Sequence, residues 1–188
     1  MKEYPIMFIT NEILSIAKER IEDIPILKDS IRGKEANLIG SIGEGLFERF
    51  IQDAGLTLEK ETGEKEKYNH DFVIGEEFTV DVKTKDRSVV PKSNYDCTVA
   101  QKTLDHQEPD YFYFVSLLKK GGVFTDGYLL GAIDTPNLLI RGETWKAGEV
   151  DARNGKTIRV DCVSIEIKNL INDYEFINKV TGANGWME

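Results

Sequence analysis

The chain has 188 residues, enough for one domain with a sizeable core. Hydrophobic residues make up 40% and charged residues 30%, the balance of a soluble globular protein. A net charge of −9 excludes a simple nucleic-acid coating protein, which would be basic, and no apolar run approaches the roughly 18 residues of a membrane span.

The first residues, Met1 to Ile9, are too few for a signal peptide and carry an acid. The expected location is therefore cytoplasmic, with Cys97 and Cys162 as reduced thiols. A helix is predicted over residues 10–24: Thr10 or Asn11 can cap it, Ile13, Ile16, Ala17, Ile21 and Ile24 form one apolar stripe, and Pro25 ends it. Residues 30–37 read as a polar connector containing Arg32 and Lys34.

A second helix is predicted from Leu38 to Ala54, with Leu46, Phe47, Phe50, Ile51 and Ala54 on its buried face and Gly55 as its stop. Gly40 and Gly43 each cost about 1 kcal/mol against alanine inside a helix, so they point to close approach of a strand or ligand. Ser41 and Glu44 have the spacing of a capping box, in which Glu44 would fold back on the helix start. In that case Glu48, one turn on, becomes the acid available for chemistry. Leu56 to Lys60 reads as a strand and Glu61 to Lys67 as a solvated turn.

Asn69 to Arg87 is the informative stretch. Asp71 opens a strand that continues through Ile74, Gly75-Glu76-Glu77 turns the chain, and a second strand runs from Phe78 to Lys85. The second strand alternates: Phe78, Val80, Val82 and Thr84 face one way, and Thr79, Asp81, Lys83 and Lys85 the other. Asp81 and Lys83 thus share a face beside Asp71 on the neighbouring strand. Two carboxylates hold a hard divalent cation through oxygen. Such a cation polarises a phosphate and acidifies a bound water, and the lysine positions that water or stabilises developing charge.

Beyond this, residues 83–102 carry Lys83, Lys85, Arg87, Lys92 and Lys102 against Asp86 and Asp96, a local basic strip suited to phosphate or to solvent. Lys92, Asn94 and Tyr95 lie in a polar loop where they can line a nucleic-acid groove; Tyr95 reads equally as a packed aromatic. Gln101 can orient a water or stand exposed, and His106 has no partner at ligand spacing. Cys97 to Leu104 reads as a short helix or strand, and Asp110 to Leu118 as a central strand buried on both faces. Thr125 to Ile133 pairs with it, and residues 137–140 cap the sheet edge. Gly142 to Asn154 is a polar excursion containing Trp145, followed by a strand over 157–167, a short helix over 169–176 and a glycine-rich tail with Trp186.

Asp71, followed ten residues on by Asp81-Val82-Lys83, resembles the PD-(D/E)xK nuclease superfamily, with His70 in place of the signature proline. A longer stretch resembles uncharacterised bacteriophage and metagenomic members. It runs from Asn37-Leu-Ile-Gly-Ser-Ile-Gly-Glu44 through Asp81 to Arg87, Pro91-Lys92 and Tyr95 to Asp110-Tyr-Phe-Tyr-Phe-Val-Ser116. The resemblance implies an α/β fold, a central mixed sheet flanked by helices in a restriction-endonuclease-like core. It implies one domain over 1–188: a core of about 37–135, the N-terminal helix 10–24 and a C-terminal β-rich extension over 136–188. It further implies a DNA-cleaving endonuclease using Mg²⁺ or Mn²⁺, held by Asp71, Asp81, the Val82 carbonyl and Glu44, with Lys83 at the water and Lys85, Arg87, Lys92, Tyr95 and Gln101 at the substrate. Two alternatives stand beside it, a non-catalytic DNA- or protein-binding module and an RNA- or structure-specific nuclease. A homodimer stays open as the assembly.

Overall fold

A computed structural model describes residues 4–22, 33–60 and 70–182. Among them, a six-stranded mixed sheet has the order β1-β7-β6-β4-β3-β2. Its strands are β1 (Ile6–Phe8), β2 (Leu58–Lys60), β3 (Phe72–Ile74), β4 (Phe78–Arg87), β6 (Tyr111–Lys120) and β7 (Val123–Asp134). β2, β3 and β4 form an antiparallel meander, β6 runs parallel to β4 over eight paired positions, and β7 returns antiparallel. Three further strands, β5 (Asp96–Ala100), β11 (Cys162–Glu166) and β8 (Glu143–Trp145), make a separate antiparallel sheet in the order β5-β11-β8. A hairpin of β9 (Val150–Asp151) and β10 (Lys156–Thr157) stands apart. The chain is thus mixed α/β.

The central sheet has one helical face. α1 (Asn11–Glu22), α2 (Lys34–Asp53) and α5 (Asp173–Thr181) share a core with Val80, Val82, Tyr113 and Val115. The opposite face is covered mainly by the second sheet, with α4 (Thr135–Arg141), so the helices flanking the central sheet lie mostly on one face. β6 explains why both faces close. Phe112, Phe114 and Leu118 point toward the second sheet, while Tyr113, Val115 and Leu117 point toward α2.

The Thr10 hydroxyl accepts from the Ile13 amide at 3.3 Å and caps α1. Residues 23–32, including Ile24, Pro25 and Arg32, and residues 61–69 lie outside the described segments. α2 begins at Lys34, with Gly33 as its N-cap, about one turn earlier than predicted, and therefore carries Ser41 in mid-helix. Ser41 and Glu44 form no capping box. Leu46, Phe47 and Ile51 are buried and Phe50 partly so, whereas Ala54 is exposed as the C-cap. Gly55, at φ 75°, stops the helix as expected.

Of the two glycines, only Gly43 meets a strand. A methyl group there would collide with Thr84 on β4, coming within 2.8 Å of its Cβ and Cγ2; Gly40 faces open space. Gly43→Ala should lower the unfolding free energy by about 1–3 kcal/mol, because overpacking at this contact outweighs the roughly 1 kcal/mol gained in helix propensity. Urea denaturation measures the difference. A more stable variant would show that α2 has room to move away from β4.

Other boundaries moved. Residues 97–104 contain both alternatives: β5 ends at Ala100 and α3 (Gln101–Leu104) follows. Within the expected strand over 157–167, only Cys162–Glu166 forms β11, and the last helix begins at Asp173, not at residue 169. Asn172 sets that start through a capping box with Glu175. No helix among the described residues is long and apolar enough to cross a membrane.

Candidate active site

β4 builds the site. Its alternation sends Val80 and Val82 into the core under α2 and turns Asp81, Lys83, Lys85 and Arg87 to the other face. Asp81 is 1% exposed. Its Oδ1 is in ion-pair contact with Lys83 Nζ but has no aligned hydrogen-bond donor. Lys83 Nζ also lies 5.8 Å from the centre of the Phe112 ring, which steadies the ammonium over an aromatic face.

Asp71 stands one residue before β3. Its amide donates to the Val80 carbonyl at 3.0 Å, and its Oδ2 accepts from the Val82 amide at 2.8 Å. Extending the β3–β4 register by one residue sets Asp71 across from Asp81. Burial first, and then the negative charges of Asp81 and Glu44, push the Asp71 carboxyl from the ordinary 3.8 up to about 7; Lys83 and the Val82 amide pull it down.

α2 supplies the third carboxylate. Glu44 Oε2 accepts from Lys60 Nζ on β2 at 2.7 Å. Glu48 accepts from Arg20 on α1 at 2.8 Å and does not figure among the charges acting on Asp71. Of the two glutamates, Glu44 is the one whose charge acts on Asp71. Sequence reasoning missed Lys60, whose side chain is within reach only because β2 pairs with β3.

The charge on Asp71 gives a pH dependence with a definite sign. Its folded pKa lies above its unfolded value, so the unfolded chain loses this proton first and folding loses stability as pH rises from about 4 to about 7. Asp71→Asn removes that loss. The stability difference between Asp71→Asn and the parent protein, in EDTA, should grow in the variant's favour across this interval by on the order of 2–4 kcal/mol. Chemical denaturation at a series of pH values measures it. A difference independent of pH would show that Asp71 is neither buried nor held among like charges as described.

A cleft of about 930 Å³ continues from Lys83 along the same face. Lys85, Arg87 and Tyr95, which the resemblance puts at the substrate, line it. Tyr95 is half-buried and packs on Arg87, whose guanidinium carbon is 5.0 Å from the ring centre. Arg87 Nη2 also donates to the Asp96 carbonyl at 2.8 Å.

No family model, curated protein or solved structure matches this chain.

Two predicted substrate residues are not brought to the site. Lys92 is exposed and does not line the cleft. Gln101 donates from Nε2 to Asp105, the C-cap of its own short helix, at 2.9 Å, so it is not poised to orient water. The other wall was not anticipated. Trp145, Arg153, Lys156 and Arg159, all in the C-terminal β-rich part, line the cleft opposite β4. The signal was present: three cations at three-residue spacing follow a tryptophan in an otherwise polar stretch.

Among the described residues no group of three or more His, Cys, Asp or Glu side chains is gathered closely enough to hold a metal. The donor chemistry is nonetheless that of a hard cation, with Asp71 and Asp81 on adjacent strands and a buried Asp81 oxygen lacking a donor.

Proposed function

We propose that the protein is a divalent-metal-dependent nuclease that hydrolyses phosphodiester bonds in DNA, with a restriction-endonuclease-like core and an endonucleolytic mode. The observation that carries this reading is the convergence of Asp71 and Asp81 from neighbouring strands, in a buried setting, with Lys83 in contact with Asp81. An antiparallel meander followed by a parallel strand, with the acids on its second and third strands, supports the same reading.

In this reading Asp71, Asp81 and the Val82 carbonyl would hold Mg²⁺ or Mn²⁺, with Glu44, now paired with Lys60, as the further acid. A bound cation of this kind polarises the phosphate and lowers the pKa of a ligated water. Lys83, fixed between Asp81 and the Phe112 ring, holds that water by donating to it and stabilises negative charge on the phosphate. Lys85 and Arg87 take the neighbouring phosphates along β4.

Supercoiled plasmid, linear duplex and single-stranded DNA with Mg²⁺ or Mn²⁺, beside an EDTA control and Lys83→Ala, test the proposal. Cleavage that needs the metal and disappears in the variant is the expected result. A second reading, a non-catalytic binding module, draws on the absence of a gathered three-ligand group among the described residues. No cleavage of any substrate, with no heat of metal binding by calorimetry, would favour it.

A further inference from the structure

Six lysines and arginines line the cleft against four carboxylates, Asp86 among them. Asp96 and Asp151 are already engaged by Arg153, at 2.8 and 2.9 Å, and Glu166 by Lys168. Lys85, Lys156 and Arg159 form no ion pair among the described residues, although all three line the cleft. Lys85 shows the crowding. Burial first, and then the neighbouring Arg87 charge, lower its pKa below the ordinary lysine value, Cys97 and Asp96 oppose them, and Lys156 adds a weaker lowering effect. Cations gathered in this way in a protein of net charge −9 favour a polyanion.

The shape narrows the choice of polyanion. The hairpin of β9 and β10 forms one wall, and Arg153 in its turn is tied to Asp96 on β5, so both walls are fastened. A space of about 930 Å³ is that of a large ligand pocket, whereas a duplex has a major groove about 12 Å wide that itself admits a helix. Two aromatic rings, Tyr95 and Trp145, line the space among the cations. A positive groove with aromatic faces is the way proteins hold unpaired bases.

We propose that the cleft between β4 and the β9–β10 hairpin binds a single polynucleotide strand and leads it along Arg87, Lys85 and Lys83 to the carboxylates. The proposal rests on the nuclease reading for its purpose, but its test does not. Trp145 and Trp186 are the two tryptophans, so Trp186→Phe makes Trp145 fluorescence a local reporter. Binding is titrated in EDTA, where no metal-dependent cleavage occurs, with a single-stranded DNA octamer, an RNA octamer and a 20-base-pair duplex. The expected result is quenching of Trp145 and at least tenfold tighter binding of one or both octamers than of the duplex; the two octamers distinguish DNA from RNA.

Lys156→Ala/Arg159→Ala, both exposed positions, should weaken octamer binding at least tenfold. Loss of two phosphate contacts should also flatten the log–log salt dependence by about 1.4. Lys120→Ala/Lys179→Ala removes the same charge away from the cleft and should change neither quantity appreciably. Circular dichroism confirms that both double variants fold. Duplex binding equal to or tighter than the octamers, or equal weakening by the two double variants, would overturn the proposal whether or not the protein cleaves.

Discussion

Asp81→Asn is expected to reduce metal-dependent cleavage by at least about a thousandfold, equivalent to roughly 4 kcal/mol of transition-state stabilisation. The size follows from its position. Asp81 is the buried carboxylate of β4, it contacts Lys83, and its charge also acts on Asp71. In the proposed mechanism, neutralising it would remove one cation ligand and release the amine that would position water. Asparagine keeps the volume, so the β4–β6 pairing should survive; far-UV circular dichroism and the denaturation midpoint check this. A folded Asp81→Asn protein with full activity would remove the proposed site from β4.

Phe47→Ala is the substitution expected to damage the fold most. Phe47 is fully buried on α2, and its ring centre lies 4.6 Å from Tyr113, 5.6 Å from Phe72, 6.2 Å from Phe176 and 6.4 Å from Phe50. It therefore joins α2, the central sheet and α5 at one point. Truncating such a phenylalanine costs about 3–5 kcal/mol, a large part of the 5–15 kcal/mol available to a typical domain. At this chain length the melting temperature should fall by about 10–15 °C. Phe50→Ala, at a partly exposed position, should lose clearly less. Equal losses would mean that the cluster is not centred on Phe47.

The site's local part was legible because alternation is a local signal. Val80 and Val82 against Asp81 and Lys83 fix which face of β4 each side chain takes, and Gly75 at φ 62° marks the turn before it. What escaped depended on distant pairing. β5 and β11 meet across about sixty residues, with Cys97 opposite Ile165, and nothing near either strand announces the other. The second wall of the cleft went with them. Two local signals were also passed over. Asn154-Gly155 is turn chemistry for the β9–β10 hairpin, and Asn172 with Glu175 marks the true start of α5. Edge strand β1 is three residues long and offered no periodicity to read.

The eight-position pairing of β4 with β6, from Val80 opposite Tyr111 to Arg87 opposite Leu118, constrains how this protein can evolve. Deleting one residue within β4 would exchange its two faces beyond the deletion, placing charges in the aromatic interior and valines along the cleft. Side chains on the cleft face can be exchanged one at a time, each altering affinity or chemistry by itself. The length of the strand cannot drift in the same way. Variation in the chemistry of the cleft is therefore accessible through substitution along β4 and through insertions in the hairpin that lines its other side.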